Sequence, residues 1–306
     1  MNQKTKTLRP VVQNKKVKLT SSDKVFNYLV NTFMVLTFLI IFIPVWSTIT
    51  LSFRPNDYIG TNLEGMFLPF WRWSTDAYKA LLGNNGFISA FLNSIKILIG
   101  GVASSLFLTI PLAYCLSIKT LPGRKFLNYT IVIPYVFNVG IIPVYLLIVA
   151  VGLVNKLPSV YLPGAISTYN CIIMRQFFEG IPGELKESAK IDGCSEIQIL
   201  FKIILPLSKA IVMTIGLYYA VTFWNDFFNA MLYLNDSYLQ PLPILLRNIL
   251  MASGMNEYVE VNAFGNAPIS AIKAASVFLS AIPMLMAYPF IQKYFTKGTL
   301  LGSVKG

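Results

Sequence analysis

No histidine occurs anywhere in the 306 residues. That removes the side chain most often used as a general base or as a metal ligand. Charge is scarce as well: Asp, Glu, Lys and Arg make up 12% of the chain, about half of the roughly 25% usual in a soluble domain. Cys115, Cys171 and Cys194 are the only cysteines. An odd number with no C-x-x-C pair supports neither a disulfide framework nor a zinc site. The sequence also lacks a G-x-x-x-x-G-K-[ST] loop, the backbone cradle for nucleotide phosphates. Energy for any work must therefore come from a partner or from an ion gradient.

Apolar residues take the place of what is missing. They make up 55% of the chain, and the mean hydropathy is +0.61. Runs near or above the ~20 residues needed to cross a bilayer fall at 28–52, 88–118, 127–151, 158–178, 207–232 and 269–291. This predicts an all-α, polytopic membrane protein with six transmembrane helices. The first run is too long for the ~7–15-residue core of a signal peptide and is expected to stay as an anchor. The fourth is diluted by Pro163-Gly164 and by Ser167, Thr168, Tyr169 and Asn170. The expected organisation is a basic tail over 1–24, a transmembrane domain over 25–291 containing a polar segment at 181–206, and a C-terminal tail over 292–306.

Lys+Arg 25 against Asp+Glu 13 gives a net charge of +12, and the positions of the cations decide what that excess means. The N-terminal tail, the loop around Lys119, Arg124 and Lys125, the stretch from 175 to 209 and the C-terminal tail together hold 18 of them. The opposite side holds five: Arg54, Arg72, Lys79, Lys156 and Arg247. Such asymmetry is the positive-inside signature; it places both termini and 181–206 in the cytoplasm and leaves a nucleic-acid reading without support. The loops 54–86 and 235–268 are then external. In the first, Trp71-Arg72-Trp73 reads as an interfacial aromatic anchor or as part of a docking surface.

The stretch ESAKIDGCSEIQILFKIILP, 187–206, is unusually polar for this chain. Pro182-Gly183 opens a short helix over 184–192 that Gly193 can close in a left-handed conformation. Ser195-Glu196-Ile197-Gln198 is a capping-box pattern that starts a second helix. Ile197, Leu200, Phe201 and Ile204 fall at i, i+3, i+4 and i+7, predicting one apolar stripe, and Pro206 opens the fifth span. The first helix is polar on most faces, with Ala189 and Gly193 small enough for a partner's backbone to approach. A helix this short is marginal alone in water, so a groove in another protein is expected to hold it.

The spacing of this stretch resembles the E-A-A-x-x-D-G-x9-I-x-L-P signature of binding-protein-dependent ABC importer permeases. Glu187, Ser188, Ala189, Asp192, Gly193, Ile203, Leu205 and Pro206 stand in register, and Ser188 alone departs from the pattern, in place of an alanine. Asn93-Ser94, Arg175-Gln176-Phe177-Phe178, Trp224-Asn225-Asp226 and the run from Lys297 to Gly306 resemble the carbohydrate branch. Within it they resemble the maltose-permease-like second subunit and, most closely, the Gram-positive oligosaccharide and polysaccharide-fragment permeases. The resemblance implies the type I ABC importer permease fold and a bacterial cell membrane. It also implies a different permease subunit, two ATPase subunits that bind the ATP, and an extracellular solute-binding lipoprotein as partners. Glu184 and the signature residues Glu187, Ser188, Ala189, Asp192, Gly193, Ile203, Leu205 and Pro206 are then the ATPase-coupling set.

Candidates for the solute path are polar groups inside spans. Asp226 is the lone acid in one, and such a group normally faces a cavity or a partner. Asn225 and Asn229 can share its cost. It reads as a hydroxyl-binding group or as a buried tie to Lys96, Lys273 or the second permease. Asn138, Asn170 and Trp224 complete the set of pathway or subunit-interface candidates. An ion-coupled secondary transporter is the alternative reading; a membrane enzyme has no paired carboxylates or nucleophile motif to support it.

Overall fold

The computed structural model describes residues 21–58, 62–65, 67–137, 139–255 and 267–302. The expectations for 1–20, Asn138, 256–266 and 303–306 lie outside the described residues. Among the described residues every regular element is helical. The chain divides into two units, Met1–Ser47 and Thr48–Gly306.

In the first unit, α1 (Ser21–Ser52) runs as far as Ser47. Its apolar side chains are exposed on every face from Val25 to Trp46, as a helix surrounded by lipid requires. Phe38, Phe42 and Trp46, four residues apart, stack at 5.2 and 5.9 Å.

The second unit begins with the last turn of α1, where the Ser52 and Tyr78 hydroxyls meet at 2.6 Å. A single turn, α2 (Asn62–Gly65), precedes α3 (Asp76–Gly83). Between them the Trp-Arg-Trp motif splits in two. Trp73 stacks on Phe53 at 4.7 Å and donates its indole N–H to Leu68 O, whereas Trp71 is 72% exposed. Then comes α4 (Asn85–Ser117), capped by the Asn84 side chain, the long central helix on which α8 and α12 pack. One of its faces buries small residues at intervals of four and seven, Ser94, Gly101, Ser105 and Thr109, the pattern that lets helices approach closely within a membrane. A Cβ at Gly101 would stand 2.5 Å from the Phe223 ring.

The expected third span is a bent pair, α5 (Arg124–Val136) and α6 (Ile141–Ala150). The expected fourth span is not one helix. It divides into α7 (Pro158–Tyr161) and α8 (Thr168–Glu179) because Pro163-Gly164 breaks the ladder and Ser167 accepts the Asn170 N–H to start a new helix. At 12 residues, α8 is about 18 Å long, well short of a ~30 Å hydrocarbon core. The polar segment follows with α9 (Gly183–Ile191), α10 (Glu196–Ile199), a π turn (Leu200–Ile204) and α11 (Leu205–Leu207). The chain then bends by 85° into α12 (Lys209–Trp224). Another break leads to α13 (Phe228–Tyr233) and α14 (Leu242–Met255), whose first N–H is held by the Ser94 hydroxyl at 2.8 Å. Finally α15 (Ile269–Gly302) packs on α12 and α3, and it carries helix into the segment expected to be tail from 292.

Three described helices are long and apolar enough to span a bilayer by themselves, or five if each bent pair counts as one. Six continuous spans are not present among the described residues. The difference comes from backbone breaks at Pro163-Gly164 and Asn225, not from missing hydrophobicity.

Candidate functional site

Local chemistry closes the 183–206 segment tightly. Glu184 lies in the first turn of α9 and Lys190 in the last, each complementing the helix dipole. Gly193, at φ +77, donates its N–H to Lys190 O at 3.0 Å, and Cys194 donates to Ala189 O at 2.9 Å. Together these two bonds are the paired C-terminal closure of a Schellman motif. Two residues later the capping box is complete: Ser195 Oγ accepts from Gln198 N at 3.3 Å, and Ser195 N donates to Gln198 Oε1 at 2.9 Å.

The second helix departs from its expected stripe. Ile199, Leu200 and Ile204 are buried, but Ile197 is 70% and Phe201 63% exposed. The π turn is the reason. Leu205 N–H bonds to Leu200 O, five residues back, and this wider turn shifts the inward positions away from 3.6-residue spacing. Ala189 also corrects the expectation, since it is 6% exposed and packs in the same core cluster as Tyr114, Phe178, Ile199 and Leu200. It is therefore not free for a partner's backbone to approach.

The signature thus has two faces. Ala189, Ile203 and Leu205 pack on this chain's own core. Glu184, Glu187, Ser188, Asp192, Gly193 and Pro206 are exposed, and beside them Ile191 is 86% exposed. The carboxylates of Glu184, Glu187 and Asp192 have no ion-pair or hydrogen-bond partner among the described residues.

Three contacts that spacing did not foretell tether α9. Lys190 Nζ lies 2.6 Å from Glu196 Oε1, and Tyr114 on α4 donates its hydroxyl to Glu196 Oε2 at 2.7 Å. Lys186 donates to Phe178 O at 3.3 Å and sits 5.9 Å from the centre of the Tyr114 ring. Burial pushes the Lys186 ammonium below its ordinary range, against the pull of the Glu196 and Glu179 carboxylates. Glu196 therefore joins the last turn of α9 to the end of α4 through one carboxylate.

A groove of about 580 Å³ lies between the α7–α8 break and α12. It is lined by Gly164, Ser167, Tyr169, Asn170, Leu217, Tyr218, Tyr219, Val221 and Thr222. Tyr219 supports it from behind, its hydroxyl 2.8 Å from Thr109 Oγ1 and accepting from Ser167 N at 3.0 Å. Asn170 is 5% exposed, and its side-chain amide has no hydrogen-bond partner among the described residues. The lining presents aromatic rings, hydroxyls and an amide, and no charged group.

Of the expected pathway residues, this groove contains Asn170 alone. Trp224 is core: 5% exposed, it donates to Ser280 O at 3.1 Å and meets Phe91 edge-on. Asn225 donates to Val221 O at 2.8 Å, closing α12. Asp226 accepts from Asn229 N at 3.0 Å and from Asn229 Nδ2 at 2.8 Å, starting α13. These three polar side chains satisfy the helix break, and the bonds of Asp226 run to Asn229 rather than to Lys96 or Lys273. Tyr169, Tyr218 and Thr222, which sequence reasoning missed, take their place in the groove.

No family model matches the chain. Over 286 residues, 93% of this chain and 99% of the other, it is 40% identical to the polygalacturonan/rhamnogalacturonan transport system permease protein YtcP of Bacillus subtilis. It is 42% identical to protein LplC of the same organism, over 76% of this chain and 80% of that one. It is also 28% identical to the arabinooligosaccharides transport system permease protein AraQ of Halalkalibacterium halodurans, over 90% and 94% of the two chains. Among solved structures, a bacterial ABC transporter involved in the import of the acidic polysaccharide alginate superposes with a TM-score of 0.82 at 28% identity. That match covers 90% of this chain and 99% of its counterpart.

Proposed function

We propose, from the premise that this chain belongs to the permease subunits of bacterial ABC carbohydrate importers, that it forms one wall of a sugar path and couples that wall to an ATPase through the outward face of 183–193. The chain is a membrane-embedded permease component and not an enzyme. The two-faced signature carries the reading. An element that must transmit force has to be fixed to its own bundle on one side and free to engage a partner on the other. Ala189, Ile203, Leu205 and the Glu196 bridge provide the first, and the unpartnered Glu184, Glu187 and Asp192 provide the second.

The partners proposed are a second, different permease subunit, two ATPase subunits that bind the ATP, and an extracellular solute-binding lipoprotein. The distribution of 18 cations against five supports cytoplasmic termini. The relatives' names speak of galacturonan, arabinooligosaccharide and alginate carriers, so the substrate class proposed is an oligosaccharide or polysaccharide fragment. The groove fits that class, since ligand sites are mostly apolar and aromatic with a few placed polar groups. Asn170 is the placed group, with Tyr169 and Tyr218 as the rings beside it.

Asn170→Leu is expected to lower ATP-driven uptake roughly tenfold, the cost of leaving one substrate hydrogen bond unmade at ~1–3 kcal/mol. The amount of chain in the membrane should stay unchanged. Uptake of labelled oligosaccharide by cells carrying Asn170→Leu or Tyr218→Leu measures it; wild-type rates in both variants would place the path elsewhere.

A further inference from the structure

A second, smaller pocket, of about 190 Å³, opens where the first turns of α5 meet α8. Arg124, Lys125, Asn128, Tyr129 and Arg175 line it. Its volume corresponds to roughly six waters at ~30 Å³ each, room for a phosphate group and a few further atoms. Glu179 accepts from Arg124 Nη2 and from Arg175 Nε, both at 2.9 Å. Arg124 Nε also donates to Leu116 O, and Arg175 Nη1 donates to Asn128 Oδ1. Each guanidinium has five N–H donors, so two bonds apiece leave donors over. Lys125 has no partner among the described residues. Three cations face one carboxylate, and the N-cap of α5, Gly123, provides no side-chain cap, which adds the positive end of the helix dipole.

From the rim of this pocket an exposed stripe runs along α5. Phe126, Tyr129, Ile133 and Val136, at i, i+3, i+7 and i+10, are 73%, 60%, 53% and 64% exposed. A cationic pocket continuous with an apolar helix face is complementary to a molecule with an anionic head and hydrocarbon tails. A free anion would use the pocket and leave the stripe without a role. We infer that Arg124, Lys125 and Arg175 bind the phosphodiester headgroup of an anionic glycerophospholipid whose chains lie along the Phe126–Val136 stripe. The two arginines are positioned by Glu179 and Asn128, and Lys125 supplies the mobile charge. Basic pockets at helix ends recognise lipid headgroups in this way.

Lys125 belongs to no internal network, so Lys125→Gln removes its charge without touching the fold. The full chain, purified in mild detergent, is titrated with phosphatidylglycerol or phosphatidylcholine, and retained lipid is counted by native mass spectrometry. The wild type should retain phosphatidylglycerol in preference to phosphatidylcholine. Lys125→Gln should lower that preference about fivefold, as expected for one basic residue at an anionic surface. Excess glycerol 3-phosphate should not displace the lipid. Equal retention of the two lipids, an unchanged preference in Lys125→Gln, or displacement by glycerol 3-phosphate would each overturn the assignment, the last in favour of a soluble anion.

Discussion

Replacing Gly193 with valine is expected to cut ATP-driven uptake at least tenfold while the chain still inserts in the membrane. Nothing lies within 4 Å of a Cβ built at Gly193, so packing does not forbid a side chain there. The obstacle is the backbone. At φ +77 an L-residue costs about 1–2 kcal/mol, and a β-branched one is a true outlier. Relaxing φ breaks the Gly193 and Cys194 closures onto Lys190 and Ala189. A nine-residue helix has little propensity of its own to spare, so α9 would lose its fixed direction. Gly193→Asn separates two causes, because asparagine tolerates the left-handed region. If Asn restores uptake, the conformation is what matters; if Asn fails as Val does, the partner's backbone needs the open space. Wild-type uptake by Gly193→Val would remove α9 from the coupling route.

The second large effect is expected at Glu196. Its Tyr114 arm is a charge-assisted hydrogen bond, ~1.5–3 kcal/mol. Its Lys190 arm joins side chains that are 53% and 48% exposed, and solvent screens such pairs to ~1 kcal/mol or less. The account therefore expects Glu196→Ala and Tyr114→Phe to lower uptake several-fold and by similar amounts, with ATP hydrolysis persisting. Lys190→Ala should do little. Because Tyr114 and Glu196 share one bond, the double variant Tyr114→Phe/Glu196→Ala should be less impaired than the two single effects combined. Measuring uptake and hydrolysis together in reconstituted vesicles checks this. Additive losses would mean that the two residues act separately.

The reach of sequence reasoning follows the range of the interactions. Gly193 and the Ser195–Gln198 box close their helices through bonds spanning a few residues, so composition and spacing were enough to place them. The Tyr114–Glu196 bond joins residues 82 apart, and no local pattern signals it. The inward stripe was misread because a π turn is a tertiary choice: Leu200 gives its carbonyl to Leu205 so that Ile199, Leu200 and Ile204 can all turn inward. The pathway set failed for a different reason. Polarity inside a span was taken as a sign of a cavity, yet Asn225, Asp226 and Asn229 spend theirs on the ends of α12 and α13. Asn170 was found because its polarity has no such local use. Tyr169 and Tyr218 read as ordinary aromatic residues of apolar runs until the α7–α8 break sets them across one groove.

The central claim, that the outward face of α9 seats on an ATPase subunit, is tested most directly by photo-cross-linking in intact membranes. A benzophenone amino acid is placed at Glu187 or at Ile191, both exposed on α9, and at Phe126, exposed on α5, as the comparison. Light should join the first two positions to a polypeptide that binds ATP, and the Phe126 position should give no such product. If illumination at 187 and 191 yields only the uncross-linked chain, or products with lipid or the other permease alone, the segment is a solvated loop and the coupling account is contradicted.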